Sequence, residues 1–344
     1  LEKEKWNLNR RVAIVFGLIF LANQILAQKK LIVDASGNGN FLSIQAAINS
    51  LTDSAAKPRT IFIKKGIYKE KIFLSKHNVV LEGEDKVQTI ITQSIARDEF
   101  RCTAIDDWGV ATFNLNGNDI TLKNLTITNS YGFEKDKDVF IDCANDTSKQ
   151  QKRVRKDGHQ MALRSFNTTR LKVLNCILKA FGGDTVSPWN VEAGMFYFKD
   201  CDIEGGVDFY CPRGWAYAEN CRFFAHIGSA AIWHDGSKNE DSKTVLVNCY
   251  FDGYKNFKLG RWHRDAQFFL INCMFSKNMA NEPIYLVKTT NAILWGNRQY
   301  YYNCTKEDGN YSWFINNLEQ AKNAPKVNKI NAKWVFNNKW KIKE

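Results

Sequence analysis

Leu174-Asn175-Cys176-Ile177-Leu178 is one of five copies of a short pattern that decides the fold. The others are Lys199-Asp200-Cys201-Asp202-Ile203, Glu219-Asn220-Cys221-Arg222-Phe223, Val247-Asn248-Cys249-Tyr250-Phe251 and Ile271-Asn272-Cys273-Met274-Phe275. An earlier relative, Lys123-Asn124-Leu125-Thr126-Ile127, carries Leu in place of Cys. The five cysteines are 25, 20, 28 and 24 residues apart. A repeat in that range marks a solenoid, in which each unit buries its apolar face only against its neighbours. Within each copy apolar and polar residues alternate, as in a short strand. The expected fold is therefore all-β, a parallel β-helix with one unit per coil. Cys176, Cys201, Cys221, Cys249 and Cys273 then stack inward, about 4.8 Å apart. The Asn or Asp before each forms a polar ladder at a bend.

Working outward, the chain of 344 residues is 44% hydrophobic and 24% charged, which excludes a disordered protein. Its one apolar run near membrane length is N-terminal, so a multi-span membrane protein is excluded. Arg10 and Arg11 precede the apolar stretch Val12 to Ala22, and Ala27 follows as a cleavage residue. Residues 1–27 read as a signal peptide, leaving a single domain over 28–344. The expected location is secreted or periplasmic, with no stable membrane association after cleavage. Export permits disulfides. Cys102 and Cys143 lie outside the repeat and could pair. The other cysteines suit interior packing better than metal binding, because no Cys-x-x-Cys or His pair accompanies them.

An open coil must be capped at both ends. Ser43 to Leu51 reads as a short amphipathic helix closing the N-terminal end. The aromatic, lysine-rich stretch after Tyr311 is expected to cover the other. The formal charge of +12 suits an acidic polymer, and no nucleic-acid-binding motif accompanies it.

Gln160, Asp184 and Asp208 each sit in an apolar or glycine-rich context, 24 and 24 residues apart. That is one coil each, so the spacing predicts a column on one outer face. Like charges stacked so closely repel, and a purely structural origin would be costly. Arg261, about two coils on, could reach a carboxylate as a fork.

These residues carry a resemblance to the pectin methylesterases, carbohydrate esterases built on a right-handed parallel β-helix. Its further markers are Ile63-Lys-Lys-Gly-Ile-Tyr-Lys-Glu70, His159-Gln-Met-Ala-Leu-Arg164, Gly206-Val-Asp-Phe209 and Leu259-Gly-Arg261. The resemblance implies that Asp208 is the nucleophile and Asp184 the acid/base. It makes Gln160 an oxyanion donor and Arg261 the group that keeps Asp208 ionised and aimed. It implies methyl-esterified pectin or a related acidic polysaccharide as the partner, and no cofactor or metal. A monomer is expected. The chain departs from the family pattern at Gly183, where a second Gln is usual, and at Trp262-His263, where Pro-Trp is usual. Trp262 and His263 are candidate substrate contacts. His234 is another, or else an exposed loop histidine. Trp189 and Trp215 lie nearest in sequence to the aspartates and join them. The alternatives are a β-helix glycosidase or lyase using the paired carboxylates, and a non-catalytic polysaccharide-binding β-helix.

Overall fold

In the computed structural model, which describes residues 30–145, 151–234 and 238–342, the repeated pattern becomes a corner. In one coil Leu171–Leu174 runs into Asn175, the chain turns, and Ile177–Lys179 leaves on a second face. Asn124, Asn175, Asp200, Asn220, Asn248, Asn272 and Asn303 all hold φ between 48° and 55° at this corner. Short polar side chains tolerate that left-handed conformation best among residues other than glycine. They also join one another: Asn175 Nδ2 donates to Asn124 Oδ1 at 2.9 Å and Asn303 Nδ2 to Asn272 Oδ1 at 3.0 Å.

Three parallel faces follow. One sheet has ten strands, from Leu31–Val33 to Gln299–Tyr302, and the second has nine, from Gly66–Tyr68 to Thr305–Lys306. The third face is a four-stranded and a three-stranded piece. Isolated bridges Val186↔Tyr210 and Tyr210↔Ile232 join those pieces across the coil that carries Asp208. Among the described residues the one antiparallel pair is Val139–Ile141 with Lys152–Val154. This is the expected parallel β-helix.

The inward residues form one long core. The five predicted cysteines are buried in it, and Cys304 extends their column by one coil. Beside them Phe223 stacks on Phe251, ring centroids 4.5 Å apart, and Phe251 lies 5.4 Å from Phe275. Each such buried ring contributes roughly 1.5–3 kcal/mol over leaving it in water. Cys102 and Cys143 form a disulfide.

The capping helix spans Ile44–Asn49, starts at Ser43, and buries Ile44, Ala47 and Ile48. Its first amides donate to the Glu70 carboxylate, at 2.9 Å each from Ile44 N and Gln45 N. The C-terminal stretch divides its work in a way the sequence reading does not anticipate. Tyr311, Trp313 and Phe314 pack on the end of the core. The part containing Leu318, Val335, Phe336 and Trp340 instead covers the outer face of the ten-stranded sheet. The reason lies in that face: Tyr197, Tyr217, Val245 and Phe269 point out of the coil and need cover. Leu31–Glu344 is one compact unit. The predicted signal segment, residues 1–27, lies outside the described residues.

Candidate active site

Asp184 and Asp208 occupy equivalent places on neighbouring coils of the third face. Asp184 N donates to Val207 O at 3.1 Å, and Asp208 N donates to Ala230 O at 2.6 Å. Both aspartates hold positive φ, 55° and 51°. Such local strain in non-glycine residues persists where the surroundings enforce it.

Arg261 comes from Lys258–Trp262, two coils beyond Asp208. Its Nε donates to Asp208 Oδ1 at 2.9 Å and its Nη2 to Oδ2 at 2.6 Å. Burial raises the Asp208 carboxyl to about 6. The Arg261 fork pulls it back without cancelling that effect, and the Asp184 charge adds to the rise. The same contact holds the Arg261 guanidinium above its ordinary value.

The structure differs from the predicted column at Gln160, whose side chain is fully buried. Its Oε1 accepts from Gly132 N at 3.0 Å and its Nε2 donates to Lys156 O at 2.5 Å. A register slip explains this. His159 bridges Gly183, yet Leu163 pairs with Val186, so the earlier coil holds one extra residue between the two contacts. Such a bulge re-aims side chains. The glutamine amide therefore serves the backbone, and the exposed polar group at this place is the preceding residue. His159 Nε2 lies 3.8 Å from Asp184 Oδ1. Its ring lies over Gly183, where a Cβ would stand 2.8 Å from His159 Cδ2 and 2.9 Å from Val207 O. No side chain fits at 183 without displacing something, which accounts for the departure seen in the sequence.

The aromatic candidates divide. Trp262 is buried in the core, and Trp215 is buried beneath the C-terminal segment, so neither faces the aspartates. His234 is fully buried in Ala230–His234, its ring 5.8 Å from Phe268. It is neither an exposed loop residue nor a substrate contact. Strand alternation is the reason: Arg261 points outward, so Trp262 and its cross-strand partner His234 point inward. The same alternation turns Trp233 outward, with the Arg261 guanidinium 5.1 Å from its ring. His263 stacks on Trp233 at 4.5 Å and is half-buried. On the other side of Arg261 in the register lies Tyr285. Trp233 and Tyr285 are thus the aromatic neighbours that sequence reasoning missed. Their offsets from Arg261, 28 and 24 residues, are the signal that could have found them.

Trp189 is half-buried between two guanidiniums, Arg164 at 4.7 Å and Arg213 at 4.3 Å. Both arginines donate to Ser187 Oγ, at 2.6 and 3.0 Å. This cluster of buried arginines and aromatic rings continues through Phe166 to Trp108, ring centroids 5.5 Å apart.

Fold and site together define a parallel β-helix protein with a pair of largely buried aspartates on neighbouring coils, one of them clamped by an arginine. The sequence model of the family described as Pectinesterase matches residues 30–177. Curated relatives include Probable pectinesterase 8 of Arabidopsis thaliana, 25% identical over 321 residues, covering 88% of this chain and 71% of the relative. Probable pectinesterase/pectinesterase inhibitor 58 of the same plant is 26% identical over 230 residues, 64% of this chain and 35% of the relative. The chain spans only about a third of the length of the latter. Among solved structures, a pectin methylesterase in complex with hexasaccharide VII superposes with a TM-score of 0.68 at 19% identity, covering 92% of this chain and 99% of that one. The carrot pectin methylesterase gives 0.63 at 17% identity, with coverage of 87% and 92%. The chain is thus similar to pectinesterases over most of its length, and its residues 30–177 match that family's model.

Proposed function

We propose that this protein is a pectin methylesterase, hydrolysing methyl esters of galacturonate units to release methanol. The observation that carries the reading is the two-pronged contact of Arg261 with Asp208. A guanidinium gripping both oxygens favours the ionised carboxylate and fixes its direction, as a nucleophile requires. Asp208 attacks the ester carbonyl carbon, and the carbonyl electrons move to oxygen. As that tetrahedral species collapses, the C–O bond to the methoxy group breaks, and Asp184, which the scheme requires to enter in its protonated form, gives its proton to the departing methanol. An acyl-enzyme remains on Asp208. Asp184, now ionised, takes a proton from water as the water attacks, and carboxylate product leaves.

The oxyanion role that the resemblance implies for Gln160 is not supported by its buried, backbone-bound amide. In the proposed scheme His159, exposed and beside Asp184, is the donor nearest the reacting groups. The substrate proposed is methyl-esterified pectin or a related acidic polysaccharide. The net charge of +12 favours a polymer that grows more anionic as the reaction proceeds. Trp233 and Trp189, both half-buried, offer aromatic edges for sugar rings. Export is part of the proposal: the disulfide Cys102–Cys143 suits an oxidising compartment.

The test is methanol release from highly methylated pectin by wild type, Asp208→Ala and Asp184→Asn. Wild type is expected to release methanol without shortening the polymer, and both variants to lose that activity. Equal rates in all three would discard the site; chain shortening would favour a glycosidase or lyase.

A further inference from the structure

The ten-stranded sheet carries a second polar column, remote in the fold from the aspartates. Lys243, Gln267 and Arg298 each immediately precede a strand, namely Thr244–Val247, Phe268–Ile271 and Gln299–Tyr302. Backbone bonds Thr244 N to Gln267 O and Phe268 N to Arg298 O, both 2.9 Å, stack the three on successive coils. They line a cavity of about 270 Å³ closed on one side by the C-terminal segment through Trp334 and Asn337.

The charges in this column are offset in part, by Asp241 at Lys243 and by Asp265 and Glu240 at Arg298. Lys243 is only 5% exposed, and its ammonium lies over the Trp334 ring, 5.0 Å from the centroid. Arg298 spends Nη1 on Glu240 O at 2.5 Å and Gln267 Oε1 at 3.0 Å, while its buried Nε finds no acceptor among the described residues. Of the acids that line the same cavity, Glu240 is already paired with Lys322 at 2.9 Å. Asp241 accepts a hydrogen bond from Asn337. Burial holds the Lys243 amine down to about 8, with Asp241 opposing that and Arg298 reinforcing it. Two cations in one column, two coils apart with Gln267 between them and one almost buried, cost stability to the extent that no anion offsets them.

We propose that this cavity is a binding site for a single carboxylate-bearing sugar, a uronate unit, held by Lys243 and Arg298 through its carboxylate and packed against Trp334. The amides of Gln267, Asn323 and Asn337 supply donors and acceptors for ring hydroxyls. The volume suits one sugar, not a polymer segment. The inference is independent of the ester chemistry, because the site shares no residue with the Asp208 cluster.

The test is calorimetric titration of the full chain with D-galacturonate, galactose and inorganic sulfate, repeated on Lys243→Met, which keeps the stem volume and removes the charge. Asp208→Asn serves as a second host, so that binding near the aspartates is told apart. Galacturonate is expected to bind wild type and Asp208→Asn alike, galactose not to bind, and Lys243→Met to weaken galacturonate by about tenfold or more. Circular dichroism checks that Lys243→Met is folded, and Arg298→Lys, which keeps a charge but loses the fork, is expected to weaken binding as well. Absence of saturable galacturonate binding, equal affinity in Lys243→Met, galactose binding as well as galacturonate, or sulfate binding alone would each overturn the proposal.

Discussion

Arg261 grips Asp208 across two coils with both prongs of its guanidinium, at 2.9 and 2.6 Å, while Asp208 itself is only 5% exposed. Removing the arginine leaves a nearly buried carboxylate with its opposing charge gone. Arg261→Ala is expected to raise the Asp208 pKa beyond its present value of about 6 by about one unit or more. The acid limb of kcat/KM for methanol release should move to higher pH by that amount. An unmoved limb would mean that Asp208 is not the ionising group.

Stability should carry the same signature. Because Asp208 in the folded chain keeps its proton up to about 6, against 3.8 for an unperturbed carboxyl, the folded state binds more protons through that window. Its contribution is complete below about 3.8 and is lost as pH rises through 6. The span corresponds to a contribution on the order of 3 kcal/mol. Asp208→Asn should flatten this part of the pH–stability curve in urea titrations. An unchanged slope would contradict the burial argument.

His159 and Gly183 form a matched pair. Gly183→Gln, which restores the usual family residue, should destabilise by about 1–3 kcal/mol, because its Cβ meets the Val207 carbonyl as well as the imidazole. His159→Ala, an exposed change, should leave stability within about 0.5 kcal/mol. It should lower kcat by roughly 100-fold if the imidazole serves the reaction beside Asp184. Full activity in His159→Ala would remove this residue from the mechanism.

The disulfide closes a loop with a sequence separation of 41 residues. Cys102→Ser is expected to cost about 2–4 kcal/mol, measured by denaturant unfolding with and without reductant. A variant as stable as wild type would show that the bridge constrains little of the unfolded chain.

The seven remaining cysteines are all buried. A thiol-reactive dye should therefore label none in the native protein and seven after denaturation. Burial also pushes thiols such as Cys176 and Cys221 upward, away from the reactive thiolate. Early labelling of even one would mean that the coil opens readily.

The coil, its corners, the capping helix and the spacing of the two aspartates are legible in the linear chain, because a β-helix repeats a local pattern and each coil contacts only its neighbours. Asn-Cys at a fixed interval is enough to state the turn, the inward stack and the polar ladder. Three things required the folded chain. The extra residue between His159 and Leu163 buried Gln160, and a bulge of one residue leaves no mark in spacing counted over a whole coil. The inward turn of Trp262 and His234 followed from the outward turn of Arg261, a relation between strands 28 residues apart. The roofed column of Lys243, Gln267 and Arg298 arose because the C-terminal segment folds back over the sheet to cover apolar residues that face away from the core. Local periodicity determines which residues stack; the direction of a side chain and the route of a non-repeating tail depend on packing between distant parts of the chain.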